Sequence, residues 1–329
     1  MLARDDSRGI QSLPAASPPP FPAWARAVNA PDTQAEAAFL AGAALARLDA
    51  VVRQNPPWAG VFRRRLALSA AAASVLRAAR TEDEARLRDA FHLTRPGADP
   101  GPAGRRLLAW RELSARSGGH WRKSFHAAAE VLGVPHDEAL EEAIEAAEAG
   151  AGGHRPAPFA AARVFGLARR APTLGAGGRS PGGRGGEGEL LAAWLADAVL
   201  AQRLNWPFAL PLLAAPLFAG GGRRAGCDIA DGADGAVIFA YAKGAARACD
   251  LSAELGRRAQ MMQDVAPKLR AKGAGAALHA LLEDDSLSAS SKIGGQISER
   301  GARRLFDRLV ALGAIRELTG RATFRLYGL

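Results

Sequence analysis

The stretch GGQISERGARRLFDRLVALGAIRELTGRATFRLYGL, residues 294–329, contains the clearest change of period in the chain. Ala302, Leu305, Phe306, Leu309, Val310 and Leu312 recur at helical spacing, which predicts an amphipathic helix with one apolar stripe. Ser298 is placed to cap its start and Gly313 to end it. The remaining helix positions carry Arg300, Arg303, Arg304, Asp307 and Arg308. Two runs of strand character, AIREL and ATFRLYGL, then flank Thr319-Gly320-Arg321, which predicts a hairpin of two short strands.

Working back from this stretch, KGAGAALHALLEDD predicts a preceding helix through Ala277, Leu278, Leu281 and Leu282. The segment from Ser286 to Gly295 reads as a cap, a short second helix and a glycine turn. Helix, short helix, turn, long helix and hairpin is the order of a winged helix-turn-helix, expected over residues 266–329. Its third helix matches a B-DNA major groove in size. There Arg300, Arg303, Arg304 and Arg308 can reach phosphates and guanine edges, and Arg321 at the hairpin tip can enter the minor groove. From Ser286 to Leu329 eight basic residues face three acidic ones, an excess of +5 within a net charge of +10 for the whole chain. The expected partner is duplex DNA, with a homodimer as the form that presents two such helices. A solvated helix face with a structural hairpin, or a module that docks protein rather than DNA, accounts for the same residues.

The other residues point to helix. The chain has 329 residues, of which 48% are hydrophobic and 6% aromatic. It is rich in Ala and Leu and poor in β-branched residues, which favours helix over sheet. The expected fold is therefore mainly α: a multi-helical body over residues 32–265, preceded by a Pro-rich disordered arm over 1–31 that Trp24 anchors. Helical patterns run from Asp32 to the NPPW at Asn55–Trp58, and again from Phe62 to Leu76. Thr81 is expected to cap a helix that opens on acidic residues. RPGADPGPAG, residues 95–104, is expected to be a loop, and further helices follow over Arg105–Ala115, His120–Leu132 and Asp137–Ala149. TLGAGGRSPGGRGGEG, residues 173–188, is expected to be a flexible segment. AVIFAY, residues 236–241, fits a strand or the start of a helix.

Candidate chemistry elsewhere is thin. The Gly-rich segment lacks the Gly-Lys-Ser/Thr of a phosphate loop. Asp228, Asp231 and Asp234 are spaced by three and have no closing Glu, unlike a calcium loop. His120 and His126 lie six apart, so one helix face does not hold both as metal ligands. Thr81–Asp89 with Arg86 and Arg88 reads as a capped, solvated helix with internal ion pairs. No catalytic constellation, cofactor or metal is expected. Cys227 and Cys249 make no disulfide scaffold, and a reducing cytoplasm is the expected location. FALPLLAAPLFAGGG is too short and too Pro-rich to span a bilayer, and no membrane association is expected.

Two resemblances bear on these residues. Residues 294–329 resemble bacterial winged-helix regulators of the multiple-antibiotic-resistance-repressor kind. The shared features are Gly295-x-x-Ser298, the Arg-rich third helix, Leu312-Gly313 and the Gly-Arg wing. AAFLAGAALARLDAVVR, RTEDEARLRDAFHL, PGADPGPAGRRLLAWREL, VAPKLRAKGAGAAL and the C-terminal run from Arg303 resemble an uncharacterised alphaproteobacterial family catalogued as domain of unknown function 1403. That second resemblance implies a bacterial origin and a two-part, mostly helical chain. It brings no catalytic residues with it.

Overall fold

The computed structural model describes residues 21–26, 29–95, 97–115, 121–170, 186–218, 233–269, 273–291, 293, 297–321 and 324–329. These residues are mainly helical, with a small antiparallel sheet near the C-terminus. By its contacts the chain divides into two units. One comprises Phe21–Arg53 and Arg65–Cys249; the other combines Gln54–Arg64 with Asp250–Leu329. The division falls inside three helices, at the last residue of α1 and within α2 and α10 below.

The first unit holds α1 (Gln34–Gln54) but for its last residue, most of α2 (Ala59–Arg77), α3 (Glu84–Leu93), α4 (Gly101–Ala115), α5 (Trp121–Leu132), α6 (Glu138–Gly152), α7 (Ala157–Arg170), α8 (Glu187–Arg203), the short α9 (Ala214–Phe218) and the first half of α10 (Ala233–Val265). At its centre is α8, which is buried without a break from Leu190 to Ala201. A helix apolar all round belongs inside a protein. Helix α7 packs along it, with α6, α5 and α4 also against it. Buried indoles each find an acceptor: Trp110 Nε1 donates to Ser74 Oγ at 3.0 Å, and Trp194 Nε1 to the Ala109 carbonyl at 3.0 Å. Arg106, 3% exposed, spans from α4 to the Ser74 carbonyl and to Glu187 at the start of α8.

Several expectations are corrected here. Helix α3 is capped by Asp83, whose side chain accepts from Arg86 N at 2.9 Å, so Thr81 lies outside the helix. Helix α4 begins at Gly101, inside the stretch expected to be loop. Pro102 fits a first turn because its missing N–H has no partner there anyway, and Asp99 accepts from Gly101 N at 2.9 Å. AVIFAY, which fits either a strand or a helix start by its sequence, takes the second form and lies within α10. Glu187 and Gly188, expected at the end of the Gly-rich segment, form the first turn of α8; the rest of that segment up to residue 185 lies outside the described residues. At the N-terminal end Phe21 and Ala25 are buried while Trp24 is 72% exposed, so Trp24 is not the anchor. A 3₁₀ turn over Ala23–Ala25 takes three residues per turn and leaves Trp24 on its outer side, tilted against Phe39. Residues 1–20 lie outside the described residues.

The second unit holds the end of α10, a 3₁₀ turn (Ala266–Lys268), α11 (Ala274–Glu283), β1 (Leu287–Ser288), α12 (Glu299–Ala311), β2 (Arg316–Glu317) and β3 (Leu326–Gly328). Trp58 Nε1 donates to Ser252 Oγ at 3.3 Å, which ties Gln54–Arg64 to this unit. The sheet order is β1-β3-β2, antiparallel throughout, with Leu287 opposite Tyr327 and Arg316 opposite Gly328. Of the short second helix expected between Ser286 and Gly295, the described part is otherwise: Leu287 and Ser288 are strand, and Ala289–Ser290 turn. The expected glycine turn at Gly294–Gly295 lies outside the described residues.

Candidate nucleic-acid interface

Helix α12 follows from its sequence almost position by position. Ser298 takes an extended conformation and its hydroxyl accepts from Gly301 N at 3.2 Å, satisfying one of the N–H groups a helix start leaves over. Gly313 adopts φ +72° just past the last turn, a conformation that suits glycine. Ala302, Leu305, Phe306 and Leu309 are buried. The Phe306 ring lies 4.8 Å from that of Tyr327, which comes up from β3. Val310, expected in the stripe, is exposed, and Leu312 is only half-buried. Val310 sits at the stripe's edge, where the helix turns its flank outward.

All five arginines expected to form the interface are exposed. Arg300, Arg303, Arg304 and Arg308 occupy the side of α12 turned away from the buried stripe. Arg303 pairs with Glu299 one turn earlier at 3.0 Å. Arg300, Arg304 and Arg308 make no ion pair among the described residues. Asp307 stands on the same face. Its Oδ1 accepts from the Tyr327 hydroxyl at 3.3 Å and lies 3.6 Å from Arg325 Nη1.

The fifth arginine, Arg321, follows Gly320 in the connection between β2 and β3. Glu317 fixes that turn by accepting from Thr319 N and Gly320 N, each at 2.9 Å. The Thr319 hydroxyl lies between the Glu317 carboxylate and the Phe324 carbonyl. Burial works to raise the Glu317 pKa, but the hydrogen bonds from Thr319 and Gly320 and the charge of Arg325 outweigh it. The carboxyl is held below its usual range. Gly320 has φ +63°, a position where a side chain is strained. Arg321 therefore projects from a turn whose backbone is tied down. Ala322 and Thr323 lie outside the described residues.

The other residues singled out from the sequence do not join this face. Arg88 is buried beside Glu84 at 3.8 Å, as a structural helix arginine. His126 lies against His136 and 3.5 Å from Glu141; His120, Cys227, Asp228 and Asp231 lie outside the described residues. Cys249 is buried. Among the described residues no group of three or more His, Cys, Asp or Glu side chains is arranged to hold a metal ion. Nor is any helix long and apolar enough to cross a membrane. By its sequence Asp307 is one more polar position of the helix, and its place beside Tyr327 and Arg325 does not show there. The available signal was its spacing, three residues after Arg304 and four after Arg303, which puts all three on one face.

A family model described as a protein of unknown function (DUF1403) matches residues 11–329. No curated protein matches the chain.

Proposed function

The chain belongs to the DUF1403 family of proteins of unknown function, and from the C-terminal unit we propose that this member binds duplex DNA through a winged helix-turn-helix. The order α11, β1, α12, β2, β3, with β3 between the other two strands, supports that reading: it is the strand order of winged helices, and their element order apart from the helix that precedes the recognition helix. In this assignment α12 is the recognition helix and the β2–β3 connection is the wing. The helix that precedes a recognition helix would fall on residues 289–297. There 289–291 are turn and bend, and Lys292 and 294–296 lie outside the described residues.

The observation that carries the proposal is the exposure of Arg300, Arg304 and Arg308 without an ion pair among the described residues, on the face opposite the apolar stripe. A helix of 13 residues is about 20 Å long and fits the major groove, about 12 Å wide. Guanidinium groups on that face suit phosphate and the guanine edge. Arg321 reaches the adjacent backbone or minor groove from the wing. A bacterial cytoplasm as the place of action, and a homodimer presenting two recognition helices, belong to the same proposal.

The test is an electrophoretic shift of the full chain on random-sequence duplex DNA at two salt concentrations. Affinity should fall with salt by about 0.9 log unit per log unit for each phosphate contacted. Replacing Arg300, Arg303, Arg304 and Arg321 together by Ala should abolish binding while moving the melting temperature by no more than a few degrees, because all four side chains are exposed. Undiminished DNA affinity in that folded variant would sink the proposal and favour a face that docks protein.

A further inference from the structure

Besides Glu299, which pairs with Arg303, the arginines of α12 share their face with a second carboxylate, Asp307, and nothing about gripping phosphate calls for it. Asp307 is half-exposed, so its carboxylate is open to a ligand that covers the helix. It is also held in place. The Tyr327 hydroxyl donates to Oδ1 from below, and the Tyr327 ring is itself buried against Phe306. Arg325 stands beside the same oxygen from β3's approach. No hydrogen bond to Oδ2 is made among the described residues. An exposed ion pair contributes little to a fold, and a carboxylate facing phosphate is repelled.

The chemistry that does suit a fixed, acceptor-only group in a major groove is an amino donor. Guanine and thymine present acceptors there, N7 and O6 or O4. Cytosine presents its N4 amine, the usual partner of Asp and Glu. We infer that Asp307 is a specificity-determining residue, accepting from the N4 amine of a cytosine in the site and disfavouring guanine and thymine at that position. Tyr327 is its positioning residue. The inference rests on the DNA reading proposed above.

The experiment is selection of bound duplexes from a randomised library by the full chain, followed by sequencing, for wild type, Asp307→Asn and Asp307→Ala. Asparagine keeps an acceptor for Tyr327 and Arg325, so that variant should retain its fold and melting temperature. Wild type should enrich cytosine at one position by on the order of tenfold, the discrimination typical of one well-placed base contact. Asp307→Asn, which offers both a donor and an acceptor, should move that preference to adenine. Asp307→Ala should lose the preference and hold random duplex DNA more tightly than wild type does at low salt. The same enriched base in all three proteins overturns the inference and leaves DNA binding standing. So does an equal loss of all binding in both variants together with a fall in melting temperature, since that marks a purely structural role. Wild type that retains no duplex at low salt overturns the DNA reading and the inference with it.

Discussion

Asp197 sits in the middle of α8 with 1% of its surface exposed, where a charge is costly. One carboxylate oxygen accepts from Leu212 N at 3.0 Å and Leu213 N at 3.3 Å; the other accepts no hydrogen bond among the described residues. The Tyr241 hydroxyl faces it without completing a bond of good geometry. Burial pushes the Asp197 pKa well above its ordinary value, against the pull of the two backbone N–H groups. The folded chain therefore holds this proton to higher pH than the unfolded chain does. The stability that Asp197 contributes is complete below the unfolded carboxylate pKa of about 3.8, and is lost as pH rises above that value through the folded pKa. Asp197→Asn keeps an acceptor for both N–H groups and removes the proton. Across that window wild type should lose up to about 1.4 kcal/mol per pH unit relative to the Asn variant in denaturant melts. Parallel pH profiles for the two proteins would mean that the buried group is not protonated. A polar side chain in a helix otherwise apolar from Leu190 to Ala201 shows in the sequence; its two N–H partners, 15 and 16 residues on, do not, because nothing in the spacing says that Leu212 folds back there.

At the scale of the element, α12 was the most legible part of the chain. Its cap, its apolar stripe and its terminal glycine each express a local rule, and local rules are what a sequence carries directly. Phe306 is the densest point of that stripe, with no exposed surface and the Tyr327 ring against it. Phe306→Ala should cost about 3–5 kcal/mol in chemical denaturation, the range for a buried aromatic side chain. A loss below about 1 kcal/mol would show that the stripe is not packed as described. The misreadings in the same region also have physical causes. β1 is two residues long in a serine-rich run, and two residues display no period; Leu287 and Ser288 are strand because Tyr327 and Leu326 lie opposite them. Val310 kept the right residue type at the stripe's edge, and only packing decides which edge residues are covered. Whether Thr81 or Asp83 caps α3 turns on which side chain reaches an N–H, and that is geometry rather than composition.

Over the whole molecule the class of structure was written in the composition, and the long-range arrangement was not. A chain rich in Ala and Leu makes helices, yet the grouping of Gln54–Arg64 with Asp250–Leu329 depends on contacts between residues some 200 positions apart, such as Trp58 with Ser252. Glycines within helices show the same contrast, because a sequence cannot tell which of them are crowded. Gly42 in α1 has nothing within 4 Å of where a Cβ would stand, whereas a Cβ on Gly244 in α10 would meet the Leu212 carbonyl oxygen at 2.2 Å. The Leu212 backbone cannot easily retreat, since its N–H is held by Asp197. The same substitution should therefore act in opposite directions. Gly42→Ala should stabilise by about 0.5–1 kcal/mol through lost freedom in the unfolded chain and better helix propensity. Gly244→Ala should destabilise by about 1–3 kcal/mol, as overpacking against a fixed backbone does. Denaturant midpoints of the two full-length variants read this directly, and equal shifts of one sign would contradict the close passage of α10 over the segment that Asp197 holds.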